Sequence, residues 1–279
     1  MSELTTHTVG LRIFSYLPNP RIWKATITAR LCGVEIDLRG AKPGELADWL
    51  WDFDARPLTD ADRHDDSDTE RQGRVGFQGK LHKTDAFLDA HPFGTVPAAF
   101  SPDGEIGIFE SNSIMRTVAR LGEDRYPAYG SDPYSASRID SFLDASLVFA
   151  RDSQIYLLEL GGEQMPAEVH RRAAESFDTW MSGIERGLSH GRLFLVGDEI
   201  TLADVCFVCE LSQFSRDRAA GRRLARSGLE PIVADDLDPL YPRATAHYRR
   251  LCAHAAFSPD VAPYLEKLEH DVARSKETA

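Results

Sequence analysis

Residues 11–16 (Leu-Arg-Ile-Phe-Ser-Tyr) alternate apolar and polar positions, the period-two pattern of a half-buried strand. Leu17-Pro18-Asn19-Pro20 breaks that pattern as a turn. Pro20 suits a first helical turn, and Asn19 suits the N-cap before it. Ile22, Trp23, Ala25, Thr26, Ala29 and Leu31 then follow a helical spacing, which Gly33 stops. Residues 34–38 form a second short strand. Strand, helix and strand in this order favour a parallel pair.

The rhythm breaks between Gly40 and Gly79. A short helix is expected within residues 41–51, followed over residues 52–76 by a long polar loop, mobile at its acidic centre. A loop of that length inside a compact domain is usually functional or disordered. Thr84 then caps a helix over residues 85–90, which ends before Pro92. Residues 93–114 hold a strand entered through Val96-Pro97, a turn at Asp103-Gly104, a second strand, and a helix from Ser111 to Leu121. The first domain, residues 1–122 with an insertion at about 41–78, therefore predicts as βαβ-α-ββ-α. Residues 123–133, with Pro127, Gly130 and Pro133, make a linker. Residues 134–160, 167–188, 201–219, 241–252 and 260–274 fit helices and no strand is expected, so residues 134–279 form an all-helical domain. The fold class is α/β followed by all-α.

Composition narrows the possible chemistry. The 279 residues are ample for two domains with real cores. Net charge is −12, which disfavours nucleic acid or an anionic membrane as partner. Half of that charge lies between Asp52 and Glu70, where eight acidic residues meet only Arg56 and Arg63. No apolar run approaches a membrane span, and residues 1–10 lack a signal-like apolar segment. Four scattered cysteines fit a reducing cytosol, so a cytoplasmic location is expected. Cys206 and Cys209 have redox or zinc spacing, but they fall in an apolar helix with no second pair, so buried core cysteines are expected. The histidines form no metal grouping, and no metal site is expected. The five arginines from Arg216 to Arg226 predict a solvated face or a salt-bridge partner for the acidic loop.

Two features of residues 93–114 are chemical. Pro97 at the mouth of a strand removes a backbone donor, permits a cis bond and shapes the loop before it. Glu110-Ser111 puts a carboxylate and a hydroxyl beside free helix N–H groups, which suits a small zwitterionic ligand with its own carboxylate. A plain capped hairpin and helix is the alternative.

Taken together, these residues resemble the cytosolic glutathione transferases. Gly-x-Val-Pro, a hairpin and Glu-Ser resemble the family's glutathione-binding segment. Residues 194–204, ending in Ile200-Thr201-Leu202-Ala203-Asp204, resemble its buried capping box. Tyr16-x-Pro18-Asn19-x-Arg21-x-x-Lys24 is similar to the transferase-like domain of translation elongation factor 1 gamma and to related fungal and bacterial transferases. The acidic insertion and the C-terminal tail fall outside the resemblance.

The resemblance implies a thioredoxin-like domain followed by a helical one, glutathione as co-substrate, and a homodimer. It implies attack of the glutathione thiolate on a hydrophobic electrophile, by displacement at an ether or halide carbon, as in detoxification. Asn19 falls where the serine of serine-type classes sits and is the first candidate donor to the thiolate. Tyr16 is the second, and Asn19 could also simply cap its helix. No cysteine occupies this loop, which argues against thiol exchange. Val96 would pair its backbone with the cysteinyl part, beside a cis Pro97. Glu110 and Ser111 would hold the γ-glutamyl ammonium and carboxylate. Lys80 or His82 could meet the glycyl carboxylate, and Arg21 either that group or the thiolate. Phe142, Ser146 and Phe149, at i, i+4 and i+7, are candidates for the electrophile pocket, with core packing as the alternative. Trp49, Trp51 and Phe53 could form a lid, anchor the insertion, or build a dimer contact. A non-catalytic scaffold and a hydrophobic ligand carrier remain as rival functions.

Overall fold

The computed structural model describes residues 9–63, 68–73, 77 and 79–277. Much of the acidic centre expected to be mobile, residues 64–67, lies outside the described residues, as does most of the polar N-terminus, residues 1–8. The chain divides into two compact units, Met1–Tyr126 and Pro127–Ala279.

In the first unit, β1 (Leu11–Tyr16) runs into α1 (Pro20–Cys32) and then β2 (Ile36–Ala41). Asn19 caps α1, and Gly33 ends it in the left-handed region at φ 63°, where glycine carries no Cβ penalty. The Val34 N–H still bonds the Ala29 carbonyl of the helix end, so β2 begins two residues later than its apolar pattern suggests. Later come α2 (Asp85–Ala90), β7 (Ala98–Phe100), β8 (Gly107–Phe109) and α3 (Ser111–Leu121). The sheet order is β2-β1-β7-β8, parallel between β1 and β2 and antiparallel elsewhere.

The insertion departs from expectation. Instead of a helix and a polar loop there is a 3-10 turn (Pro43–Asp48) and a second sheet. Its strands are β3 (Trp49–Trp51), β4 (Arg56–Pro57), β5 (Glu70–Gln72) and β6 (Lys80–Lys83), in the order β4-β3-β6-β5. The physical reason is the Trp-Leu-Trp run, which favours a strand once a buried face is available. Trp51 packs with Phe14, Leu46, Leu81, Phe87 and Phe100 in one core shared by both sheets. Its indole N–H donates to the Leu46 carbonyl at 3.0 Å. Cations within unit 1 meet several of the acidic residues: Arg56 pairs with Asp62 at 2.6 Å, Arg39 with Asp54 at 2.6 Å and Lys80 with Glu70 at 2.9 Å.

The second unit contains α4 (Pro133–Glu159), α5 (Ala167–Gly187), α6 (Leu202–Phe214), α7 (Gly221–Ala225), α8 (Pro242–Cys252) and α9 (Ser258–Glu277). Among the described residues it holds no strand. All 13 residues of α6 are buried, Cys206 and Cys209 included. The short α7 was not anticipated, and the arginines around it find partners inside this unit: Arg218 pairs with Glu269, and Arg223 donates to the Leu160 carbonyl.

The start of α6 is fixed by one buried carboxylate. Asp204 accepts from the Thr201 N–H at 2.8 Å, the Thr201 hydroxyl at 3.0 Å and the Leu195 N–H at 3.0 Å. Arg250 donates to His247 Nδ1 at 2.7 Å, which leaves the Nε2–H of that ring to donate to Asp204 at 2.8 Å. Truncating such a group strands several buried donors, each costing about 1–3 kcal/mol. Asp204→Ala is therefore expected to lose about 3 kcal/mol or more of stability in urea unfolding. A loss below about 1 kcal/mol would contradict this account of the cap.

Candidate functional site

The strand registers gather three segments at one end of the first sheet. Tyr16, the last residue of β1, lies opposite Ala41 of β2. Phe14 faces Ala98, so continuing the antiparallel register brings Tyr16 level with Val96. Ala98 in turn faces Phe109, and the same continuation brings Pro97 level with Glu110. Tyr16, Val96-Pro97 and Glu110 thus form a row from which α1 and α3 depart.

The Val96-Pro97 bond is cis, as is Leu17-Pro18. The loop before Val96 is held from below. Lys83 donates to the Gly94 carbonyl at 2.6 Å and lies 4.5 Å over the Trp51 ring. His91 is buried and stacks on Phe109 with ring centres 5.0 Å apart. Burial, with the neighbouring Lys83 ammonium, pushes the His91 imidazole below its usual pKa, so the ring is held neutral.

Glu110 takes a φ of 67°, uncommon for a non-glycine residue and costly unless the surroundings hold it. Its side chain is exposed at the start of α3, where its carbonyl already accepts from the Ser113 N–H at 2.9 Å. Ser111 and Asn112 follow. Both accept from the Lys24 ammonium, at 3.3 Å and 2.7 Å, and Lys24 itself is only 2% exposed. The sequence placed Lys24 in a motif without a role. The available signal was its position among Ile22, Trp23, Ala25 and Thr26, a run in which a solvated lysine has little room.

Asn19 takes up the capping role that was expected beside the donor role. It is 1% exposed, its Oδ1 accepts from the Arg21 N–H at 3.0 Å, and its Nδ2 donates to Ser15 Oγ at 3.1 Å. Both ends of the amide serve the helix start, so the capping role is the one the structure displays. Tyr16 is half-buried in the row, with its ring 6.5 Å from that of Phe77. Arg21 is half-buried in the first turn of α1. Lys80 and His82 stand on the second sheet, Lys80 paired with Glu70 and His82 within 3.4 Å of the Thr69 hydroxyl.

The aromatic candidates of the insertion are anchors. Trp51 is 1% exposed in the core and cannot line an open pocket. Trp49 stacks on Phe14 at 5.8 Å, and Phe53 packs against Phe100 with the Arg12 guanidinium 4.5 Å from its ring centre. In the second unit, a groove of about 840 Å³ between α4 and α5 takes in Phe142, Phe149 and Trp180. Phe149 stacks on Trp180 at 4.4 Å. Ser146 is buried beneath them, accepting from the Trp180 indole N–H at 3.0 Å, so it supports the groove and does not line it. Arg138 lies 4.9 Å over Phe142 at the rim.

Among the described residues, no group of three or more His, Cys, Asp or Glu is placed to hold a metal, and no helix is long and apolar enough to cross a membrane.

A thioredoxin-like unit, a helical unit and a buried capping box are the marks of one superfamily, and comparison agrees. Residues 167–250 match the family described as glutathione S-transferase, C-terminal domain. The fold recurs in an epsilon-class glutathione S-transferase from housefly (TM-score 0.63, 14% identity, 96% of this chain and 97% of that one). It recurs again in a Methylobacterium radiotolerans transferase in complex with glutathione sulfonate (TM-score 0.61, 17% identity, 90% and 94%). At such identities these two show the fold alone. The chain thus has the glutathione transferase fold, and residues 167–250 match that family's C-terminal domain. Its sequence relatives include a probable elongation factor 1-gamma 1 of Arabidopsis thaliana, 32% identical over 136 residues, or 48% of this chain. The match spans about a third of that relative, 32% of its length.

The Asn19 geometry makes a direct prediction. Asn19→Ala removes the cap and leaves Ser15 Oγ without its donor, at an expected cost of about 1–2 kcal/mol in urea unfolding. Asn19→Ser keeps a capping oxygen and is expected to recover most of it. Equal stability of Asn19→Ala and the parent would remove the capping role.

Proposed function

We propose that the chain binds glutathione at the sheet-end row and uses its thiolate against a hydrophobic electrophile. The observation that carries this is the convergence of Tyr16, Val96-cis-Pro97 and Glu110-Ser111 where two helices begin. The backbone of Val96 suits the cysteinyl part of the tripeptide. Exposed Glu110 suits the γ-glutamyl ammonium, and Ser111 with the α3 N–H groups suits its carboxylate. The fold neighbour from Methylobacterium radiotolerans, in complex with glutathione sulfonate, supports this choice of ligand.

A free thiol has a pKa of about 8.5, so reaction near neutral pH needs the anion stabilised. The start of α1 supplies N–H groups and the positive end of a helix dipole. The Tyr16 phenol, carried by the row itself, is the donor to sulfur, with the second Asn19 Nδ2 hydrogen as the alternative. Arg21, in the first turn of α1, is the cation for the thiolate or the glycyl carboxylate, while Lys80 and His82 stand on the second sheet. The groove with Phe142 and Phe149 supports an aromatic or otherwise hydrophobic ligand. A cytoplasmic homodimer completes this proposal.

A glutathione-binding scaffold without turnover is the second reading. It is favoured by the elongation factor 1-gamma relatives, which match 48% of the chain.

Glutathione at millimolar concentration is expected to raise the melting temperature saturably, because a ligand that binds only the native state must stabilise it. No shift would contradict glutathione binding. With 1-chloro-2,4-dinitrobenzene as electrophile, Tyr16→Phe is expected to lower kcat at least about tenfold while glutathione affinity stays within about twofold. Binding without measurable turnover in the parent protein would select the scaffold instead.

A further inference from the structure

Lys24 joins the two helix starts of the site. It rises from the second turn of α1, is 2% exposed, and donates to Ser111 Oγ and Asn112 Oδ1 in the first turn of α3. A charged group buried to this degree is costly unless it is well bonded, and these two bonds go to one helix start. A serine oxygen that accepts from an ammonium keeps its own hydrogen for a partner elsewhere. Ser111 is half-buried, and the exposed Glu110 precedes it. A carboxylate arriving at this helix start therefore meets the Ser111 O–H and the α3 amides, with a full positive charge directly behind the hydroxyl.

We infer that Lys24 is a positioning residue for ligand binding: it orients the Ser111 hydroxyl toward the γ-glutamyl carboxylate and supplies the buried charge that favours that anion. The inference rests on the glutathione reading above. Lys24 touches Ser111 and Asn112, so its effect is selective for one end of the ligand. A lysine that merely packed α1 against α3 would, on removal, weaken every ligand of the site alike.

The test compares two ligands on purified full-length protein by calorimetry. One is glutathione. The other is glutathione with the γ-glutamyl α-carboxylate converted to its amide. The parent protein is expected to bind glutathione at least about tenfold more tightly than the amide, a difference of about 1.4 kcal/mol. In Lys24→Met, glutathione is expected to weaken about tenfold while the amide moves less than about twofold, so the discrimination collapses. Lys24→Arg, which keeps the charge, is expected to restore part of it. If Lys24→Met shows no cooperative melt, Lys24→Gln, which keeps a donor without the charge, takes its place with the same expectation. Equal weakening of both ligands, or unchanged discrimination, would overturn the positioning role while leaving the glutathione reading intact. Failure of the parent protein to bind either ligand would overturn the glutathione reading and this inference with it.

Discussion

A buried ammonium ties two helix starts together, and the geometry of the first unit depends on it. Lys24 reaches from α1 to the first turn of α3, and the two helices pack side by side on the sheet. A cation in that position cannot be left unbonded, so the α3 start is held where Ser111 and Asn112 can accept from it. The same helix start carries Glu110 in its left-handed conformation. Strain of that kind persists only when neighbouring structure over-determines the residue. The cis Val96-Pro97 edge and the capped start of α1 bring the other two walls of the site to the same end of the sheet.

Each unit uses the same strategy, a buried polar group satisfied on several sides. In the helical unit Asp204 gathers Thr201, Leu195 and His247, while Asp217 accepts from the Tyr156 hydroxyl and from the Val233 N–H at 2.8 Å. Burial pushes the Asp217 carboxyl above its usual pKa. These anchors specify where loops meet helices, a task that apolar packing performs poorly because it has little directionality. The insertion is fixed in the opposite way. Trp51 enters the core of the first unit and brings a second small sheet with it. Cations such as Arg39, Arg56 and Lys80 meet part of its acidic surface.

What was legible in the sequence was what local chemistry decides. Asn19 before Pro20, Gly33 after the last helical residue, the Asp103-Gly104 turn and the Thr201 to Asp204 box each signal a boundary within a few residues, and each boundary stands there. The second sheet was hidden because its central pair joins Leu50 to His82, and three-residue strands carry almost no periodicity. Trp51 left a lid, an anchor and a dimer contact open, and only the fold shows it facing Phe14 and Phe87. Asn19 read as a thiolate donor by resemblance and as a cap by position, and Ser15, four residues earlier, takes one of its two amide hydrogens. Lys24 was concealed by the habit of treating lysine as solvated, although its apolar neighbours pointed inward.

The central claim is that a peptide carboxylate is received by Ser111 and the start of α3 while sulfur lies at the start of α1. A crystal structure with glutathione sulfonate tests this most directly. The account predicts the γ-glutamyl carboxylate within hydrogen-bond distance of Ser111 Oγ, the cysteinyl backbone against Val96, and the sulfonate beside Tyr16. A ligand bound elsewhere, or one whose γ-glutamyl carboxylate leaves Ser111 untouched, would contradict it.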